Sequence, residues 1–264
     1  MEEIESESKF IWRLLLHVLL APITLILVLF KRKGSKDLLQ PFTDLYRFLF
    51  APKFTISIII LNIIIYFLSL SFSETLFGSL INYPADLIAL RWHSLFTAGF
   101  LHADLSHLFG NLLGIFIFGR IVERKIGSLR TGLVYFGALF ISGLFSSAIH
   151  LFVLGNNIGG LGASGALMGL VATAILLDPV YITYELLLPL PVMVVGWVTI
   201  YLDLSGILNP VEDGIGHFAH LGGFISIAVI MYLLGVEERT KLRTGFIINV
   251  ISLVIGLLLY WFLF

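Results

Sequence analysis

The sequence predicts an all-α membrane protein with several spanning helices, and three observations predict it. Of its 264 residues, 58% are hydrophobic and only 12% are charged, against about 45–50% and about 25% in soluble domains. The apolar residues gather into separate runs of roughly 17–23, long enough at 1.5 Å per residue to cross a ~30 Å hydrocarbon core. Strands of about ten residues with alternating polarity, which a transmembrane barrel needs, are not seen. A net charge of −1 offers no basic field for nucleic acid. The chain has no Cys, which excludes disulfides and a thiolate nucleophile. Its acidic start, followed by a stretch too long for a signal-peptide core, predicts that no leader is cleaved.

Hydropathy places spans near 11–30, 54–72, 106–120, 131–154, 163–177, 187–203, 217–235 and 246–264. The first is interrupted by Arg13, His17 and Pro22, so it either crosses or lies in the interface. Between spans one and two, residues 34–52 carry Leu38, Leu39, Phe42, Leu45, Phe48 and Leu49 at helical spacing, an amphipathic surface helix. The third and fifth spans are short, as expected beside a water-filled cavity. Three alternate loops hold 13 of the 16 Lys and Arg residues, and the positive-inside rule makes that side cytoplasmic. Eight spans with both termini outside is the simplest arrangement. It divides the chain into 1–53, a hydrophobic segment with a basic amphipathic linker, a core at 54–235, and an extra helix at 236–264.

With this topology Ser164 opens the fifth span at its outer end, within Gly162-Ala163-Ser164-Gly165. His220 lies about one turn below the outer end of the seventh span. His107 and Asn111 are four apart, on one helical face, at the outer start of the third. Serine becomes a nucleophile when a base takes its proton, and imidazole is the usual base. Side-chain N–H groups of His107 and Asn111, with the Ser164 amide in the first helical turn, suit an oxyanion. Gly162 permits close backbone approach; Gly165 with Gly169, and Ala219 with Gly223, form small faces on which helices can meet. No carboxylate recommends itself for a triad. Asp178 is 14 residues beyond Ser164, about 21 Å along the helix, and Asp203, Glu212 and Asp213 fall in the 203–215 loop. The expectation is therefore a Ser–His dyad.

His102-Ala103-Asp104-Leu105-Ser106-His107-Leu108-Phe109-Gly110-Asn111, then Gly162-Ala163-Ser164-Gly165, then Ala219-His220-Leu221-Gly222-Gly223, resemble the rhomboid family of intramembrane serine proteases. The likeness runs over roughly 54–235 and includes Gly119, Glu123 and Gly127. It implies a rhomboid-like six-helix core with one additional N-terminal and one additional C-terminal hydrophobic helix. It also implies Ser164 as nucleophile, His220 as base, His107 and Asn111 as oxyanion donors, an embedded 73–105 loop and a cap at 203–215. The chain departs from the family pattern at several places. His93 and Ser94 stand where Trp-Arg is frequent, with Trp92 one position early. Met168 replaces an aromatic residue that stacks on the histidine, and Ile227 replaces a glycine.

The resulting expectation is an intramembrane serine endopeptidase acting on transmembrane protein substrates, with membrane lipids around it and no metal or organic cofactor. Its active site would open to the extracytoplasmic side of a prokaryotic cell membrane. His102 is expected to hold the outer loop, and His217 to be an interfacial or substrate-side residue. Two other classes compete. His102, His107, His217 and His220 would form the ligand set of a metal transporter or metalloprotease, though HExxH and intramembrane carboxylates are missing. A catalytically inactive rhomboid-like protein that binds membrane clients would usually lack the serine or the histidine, and both are retained.

Overall fold

The computed structural model describes residues 7–183, 190–210 and 214–263. Contacts divide the chain into two compact units, Met1–Lys53 and Phe54–Phe264.

In the first unit, α1 (Glu7–Leu19) and α2 (Ala21–Leu29) form two helices rather than one uninterrupted span. Their axes differ by 52° where Trp12–Leu19 meets Ala21–Leu29. Pro22 explains the break, because it fits a first helical turn and removes a donor from a helix interior. The expected amphipathic helix forms as α3 (Ser35–Phe50), with the Asp37 carboxylate accepting from the Gly34 amide at 2.9 Å. Phe10 stacks on Phe48 with ring centroids 4.0 Å apart. Leu39, Phe42, Tyr46 and Phe50 leave an exposed apolar face.

The second unit is built around one buried helix. Here α4 (Lys53–Ser69) is followed by a short α5 (Glu74–Leu80) and an irregular segment that leads into α6 (Leu105–Ile126). Then come α7 (Ser128–Val153), α8 (Ser164–Leu177), α9 (Val192–Leu208), α10 (His217–Leu233) and α11 (Val236–Leu263). Between α8 and α9, strands β1 (Ile182–Thr183) and β2 (Leu190–Pro191) pair antiparallel. Every residue from Gly165 to Ile175 of α8 is buried, so α8 is the post on which the others pack.

Small residues make that packing close. A Cβ at Gly223 would lie 2.1 Å from the Gly165 carbonyl oxygen, and one at Gly169 would lie 2.2 Å from Ala138 Cβ. Contact of this kind between α7, α8 and α10 replaces the hydrophobic drive that lipid does not supply. Helix α11 docks in the same way. Gly245 lies against the Leu176 carbonyl. Asn249 donates to the Ile175 carbonyl at 2.9 Å and accepts from Trp197 Nε1 at 3.0 Å.

Two expected boundaries move, each for a local reason. α6 continues past residue 120 through a π-helical turn at Ile115–Gly119. Its charged end is sheltered, since Arg120 lies over the Phe116 ring at 4.6 Å. Glu123 caps α4, accepting from the Phe54 amide at 2.9 Å and from the Thr55 amide and hydroxyl at 2.8 Å each. α9 starts at Val192 rather than 187, because Pro191 takes the N-cap position. Its 17 residues therefore reach Leu208, and Asp203 sits inside the helix instead of in a loop.

Removal of the Glu123 carboxylate leaves the buried Thr55 amide and the part-buried Phe54 amide at the start of α4 without an acceptor. Glu123→Ala should destabilise the fold by about 2–3 kcal/mol, read as a lowered unfolding midpoint in detergent.

Candidate active site

One end of the α6–α8–α10 cluster gathers the polar residues picked out in the sequence. Ser164 is the first residue of α8 and is half-buried. The chain reaches it through Gly162, whose φ of +115° belongs to glycine and whose amide donates to the Ala98 carbonyl at 2.8 Å. A Cβ at Gly162 would fall 2.7 Å from His107 Nε2 and 3.4 Å from Asn111 Nδ2. Glycine thus lets both side chains close on the backbone two residues before Ser164. The Asn111 amide nitrogen is buried and has no hydrogen-bond partner, so a donor is held in reserve there. Asp104 positions the pair by capping α6, its carboxylate accepting from the His107 amide at 2.8 Å.

His220 comes to the same end on α10. The backbone contact of Gly165 with Gly223, and the Ala219 carbonyl 3.7 Å from a Gly165 Cβ position, set the two helices side by side there. Met168, one turn below Ser164, is buried with its Cβ 3.0 Å from a Cβ position at Gly223. Among the described residues no hydrogen bond joins Ser164 to His220; the bond His220 makes is through Nδ1, to Asp203 Oδ1 at 2.9 Å. Resting serine–base pairs are often long in the absence of substrate.

Asp203 is the residue that the sequence left in a loop. It lies in α9 and is buried, and its Oδ1 also meets Nδ1 of His217 at 2.9 Å. The signal that could have found it is Pro191, which takes the N-cap position of α9 and leaves Asp203 inside the helix. Glu212 and Asp213, the other acidic candidates of that stretch, lie outside the described residues.

The four histidines of the metal alternative fall into two pairs. The rings of His102 and His107 are 5.1 Å apart, and those of His217 and His220 are 6.4 Å apart. Ligand atoms of Asp203, His217 and His220 lie within 4.8 Å of one another. Both imidazoles use Nδ1 in a hydrogen bond to that carboxylate.

The loop before α6 is pinned without Trp-Arg. The Ser94 hydroxyl donates to the Arg91 carbonyl at 2.9 Å and meets Asn82 Oδ1 at 3.3 Å. Asn82 Nδ2 donates to the Ser147 hydroxyl on α7 at 2.9 Å. Arg91 pairs with Asp86, and Phe96 stacks on Phe140 with centroids 5.6 Å apart. His102 is buried at the end of this loop.

Burial, helped by neighbouring His107, pushes His102 down to about 4, with the Phe100 backbone acting the other way. Its folded pKa lies below the ordinary value of 6.5, so the unfolded chain binds the proton more readily. Its share of stability is whole above pH 6.5 and is lost as the pH falls towards about 4. Thermal melts in detergent should show that loss, and His102→Asn should flatten the pH dependence across the same window.

The family model described as Rhomboid domain matches residues 89–237. The chain is similar to Rhomboid-like protein 11, chloroplastic, of Arabidopsis thaliana, 30% identical over 58% of this chain and 54% of the relative. It is 26% identical to Rhomboid protease AarA of Providencia stuartii, over 68% of this chain and 72% of that one. It is 36% identical to Rhomboid-type serine protease 2 of Emericella nidulans, over 56% of this chain and 27% of the relative. The chain spans about half the length of that chloroplastic relative and of RHOMBOID-like protein 12, mitochondrial, of Arabidopsis thaliana, covering 54% and 45% of them. Those names give no support to the prokaryotic cell membrane expected from the sequence.

Proposed function

The chain belongs to the rhomboid family, and from that premise we propose that it is an intramembrane serine endopeptidase that cuts transmembrane protein substrates. Ser164 Oγ attacks the scissile carbonyl carbon while His220 Nε2 takes its proton. The imidazolium then passes that proton to the leaving amine as the C–N bond breaks. Water repeats the attack on the acyl-enzyme and restores Ser164. His107 Nε2, Asn111 Nδ2 and the Ser164 amide hold the oxyanion. The observation that carries this reading is the convergence of His107 Nε2 and the buried, unpartnered Asn111 Nδ2 on Gly162, at the entrance to the Ser164 turn.

Family likeness supports single-span substrates with small residues at the cut and a helix that unwinds readily. The basic loops support an opening on the side away from Arg120, Arg124, Lys125 and Arg130. Within the proposal, 54–235 is the catalytic core and 236–264 an addition.

The test is cleavage of a model transmembrane substrate by purified protein in liposomes. Ser164→Ala should abolish cleavage, and His107→Ala and Asn111→Ala should each lower kcat by about 10²–10³. EDTA should leave the wild-type rate unchanged. Cleavage by Ser164→Ala sinks the serine mechanism. Loss with EDTA would favour a metal. Failure to cut any substrate or to react with a fluorophosphonate would favour a client-binding protein.

A further inference from the structure

We propose that Asp203 is a positioning residue for His220, and that His217 competes for the same carboxylate oxygen and so tunes the strength of the base. This rests on the reading of Ser164 and His220 as nucleophile and base, and extends it from a dyad to a branched relay.

The geometry is specific. Asp203 Oδ1 is 2.9 Å from Nδ1 of His220 and 2.9 Å from Nδ1 of His217. A carboxylate oxygen has two lone pairs and only accepts, so both imidazoles can donate to it together when both carry the proton on Nδ1. That tautomer leaves Nε2 of His220 bare, as a base requires. Residues on two helices combine to produce this. Asp203 is on α9, while His217 and His220 are three apart on one face of α10. Gly206, one turn beyond Asp203, gives His217 its place, since a Cβ there would lie 2.1 Å from His217 Nε2.

The surroundings raise the stakes of the arrangement. The Asp203 side chain is only 10% exposed, and among the described residues no Lys or Arg pairs with it. Its negative charge is therefore available to an imidazolium forming on His220. His217 draws on the same oxygen and, when protonated, on the same charge. Two other described histidines lie on α6 and α7. His107 on α6 is near enough for the two rings to interact electrostatically. On α7, His150 is turned to Asn156 and to the Phe218 ring.

A purely structural pin between α9 and α10 would affect stability without changing the titration of the base. The pH dependence of kcat/KM in liposomes separates the two roles. Asp203→Asn keeps size and an acceptor but removes the charge. It should lower kcat/KM at least about tenfold and move the acidic limb to lower pH, because the imidazolium loses its counter-charge. His217→Leu should move the acidic limb to higher pH, because His220 then has Asp203 to itself.

The proposal is overturned if Ser164→Ala is inactive while both variants keep kcat/KM within about twofold and leave the limb in place. If Asp203→Asn does not fold, an unmoved limb in His217→Leu is enough to overturn it. If Ser164→Ala still cleaves, the serine mechanism falls, and this inference falls with it.

Discussion

Backbone contact between α8 and α10 is the constraint on which the rest of the structure depends. Gly223 sits so close to the Gly165 carbonyl that any side chain would overlap it. Gly165 likewise has no room for a Cβ beside Ser142, nor Gly222 beside Phe145. Three helices thus approach at backbone distance just below the level of Ser164. Ser142 and Ser226 take part without cost, because each hydroxyl donates to the carbonyl three residues back in its own helix. Polar groups in lipid must be satisfied internally, and these are. A looser crossing would separate the Ser164 turn from His220 by the width of a side chain.

The same economy governs the opposite end. Glu123 is buried yet fully occupied, taking the α4 amides and the Ser128 hydroxyl at 2.5 Å. Its work is to start one helix and hold the next. Glycines at 119 and 127 accompany it: the first admits Thr55, and the second turns the chain with φ +80° into α7. Charged residues at a membrane helix end are often credited to topology alone. Here one of them also assembles the bundle.

Much of this was legible in the sequence because it depends on residue size and order. Small residues at 165, 169, 219 and 223, a serine at a helix start, and a His–Asn pair four apart leave traces that survive without coordinates. What was illegible depended on where helices begin. Hydropathy ends the sixth segment at residue 203, so Asp203 falls with Glu212 and Asp213 among loop carboxylates and nothing singles it out as the partner of His220. Pro191 at the N-cap sets the start of α9, and the apolar run hides that start because Leu186 to Val195 is hydrophobic at nearly every position. Similarly, the apolar count could not see that Arg120 and Glu123 extend α6, since their burial rests on Phe116 and on α4. The first hydrophobic segment breaks at Leu20, where Pro22 outweighs continuous hydrophobicity.

Met168 brings these threads together. An aromatic residue at this position would fix the plane of the His220 ring by stacking, and would leave the choice of tautomer to other groups. Met168 is instead packed with its Cβ against Gly223, where a flexible thioether fills space without imposing a ring angle. A hydrogen bond from Nδ1 to a buried carboxylate restrains both properties together, since it sets the direction of one ring nitrogen and the location of the proton. In the proposed mechanism Met168 and Asp203 are therefore complementary. On that reading the ring plane is set by a bond from α9, and the bond adds a charge that no aromatic face could supply.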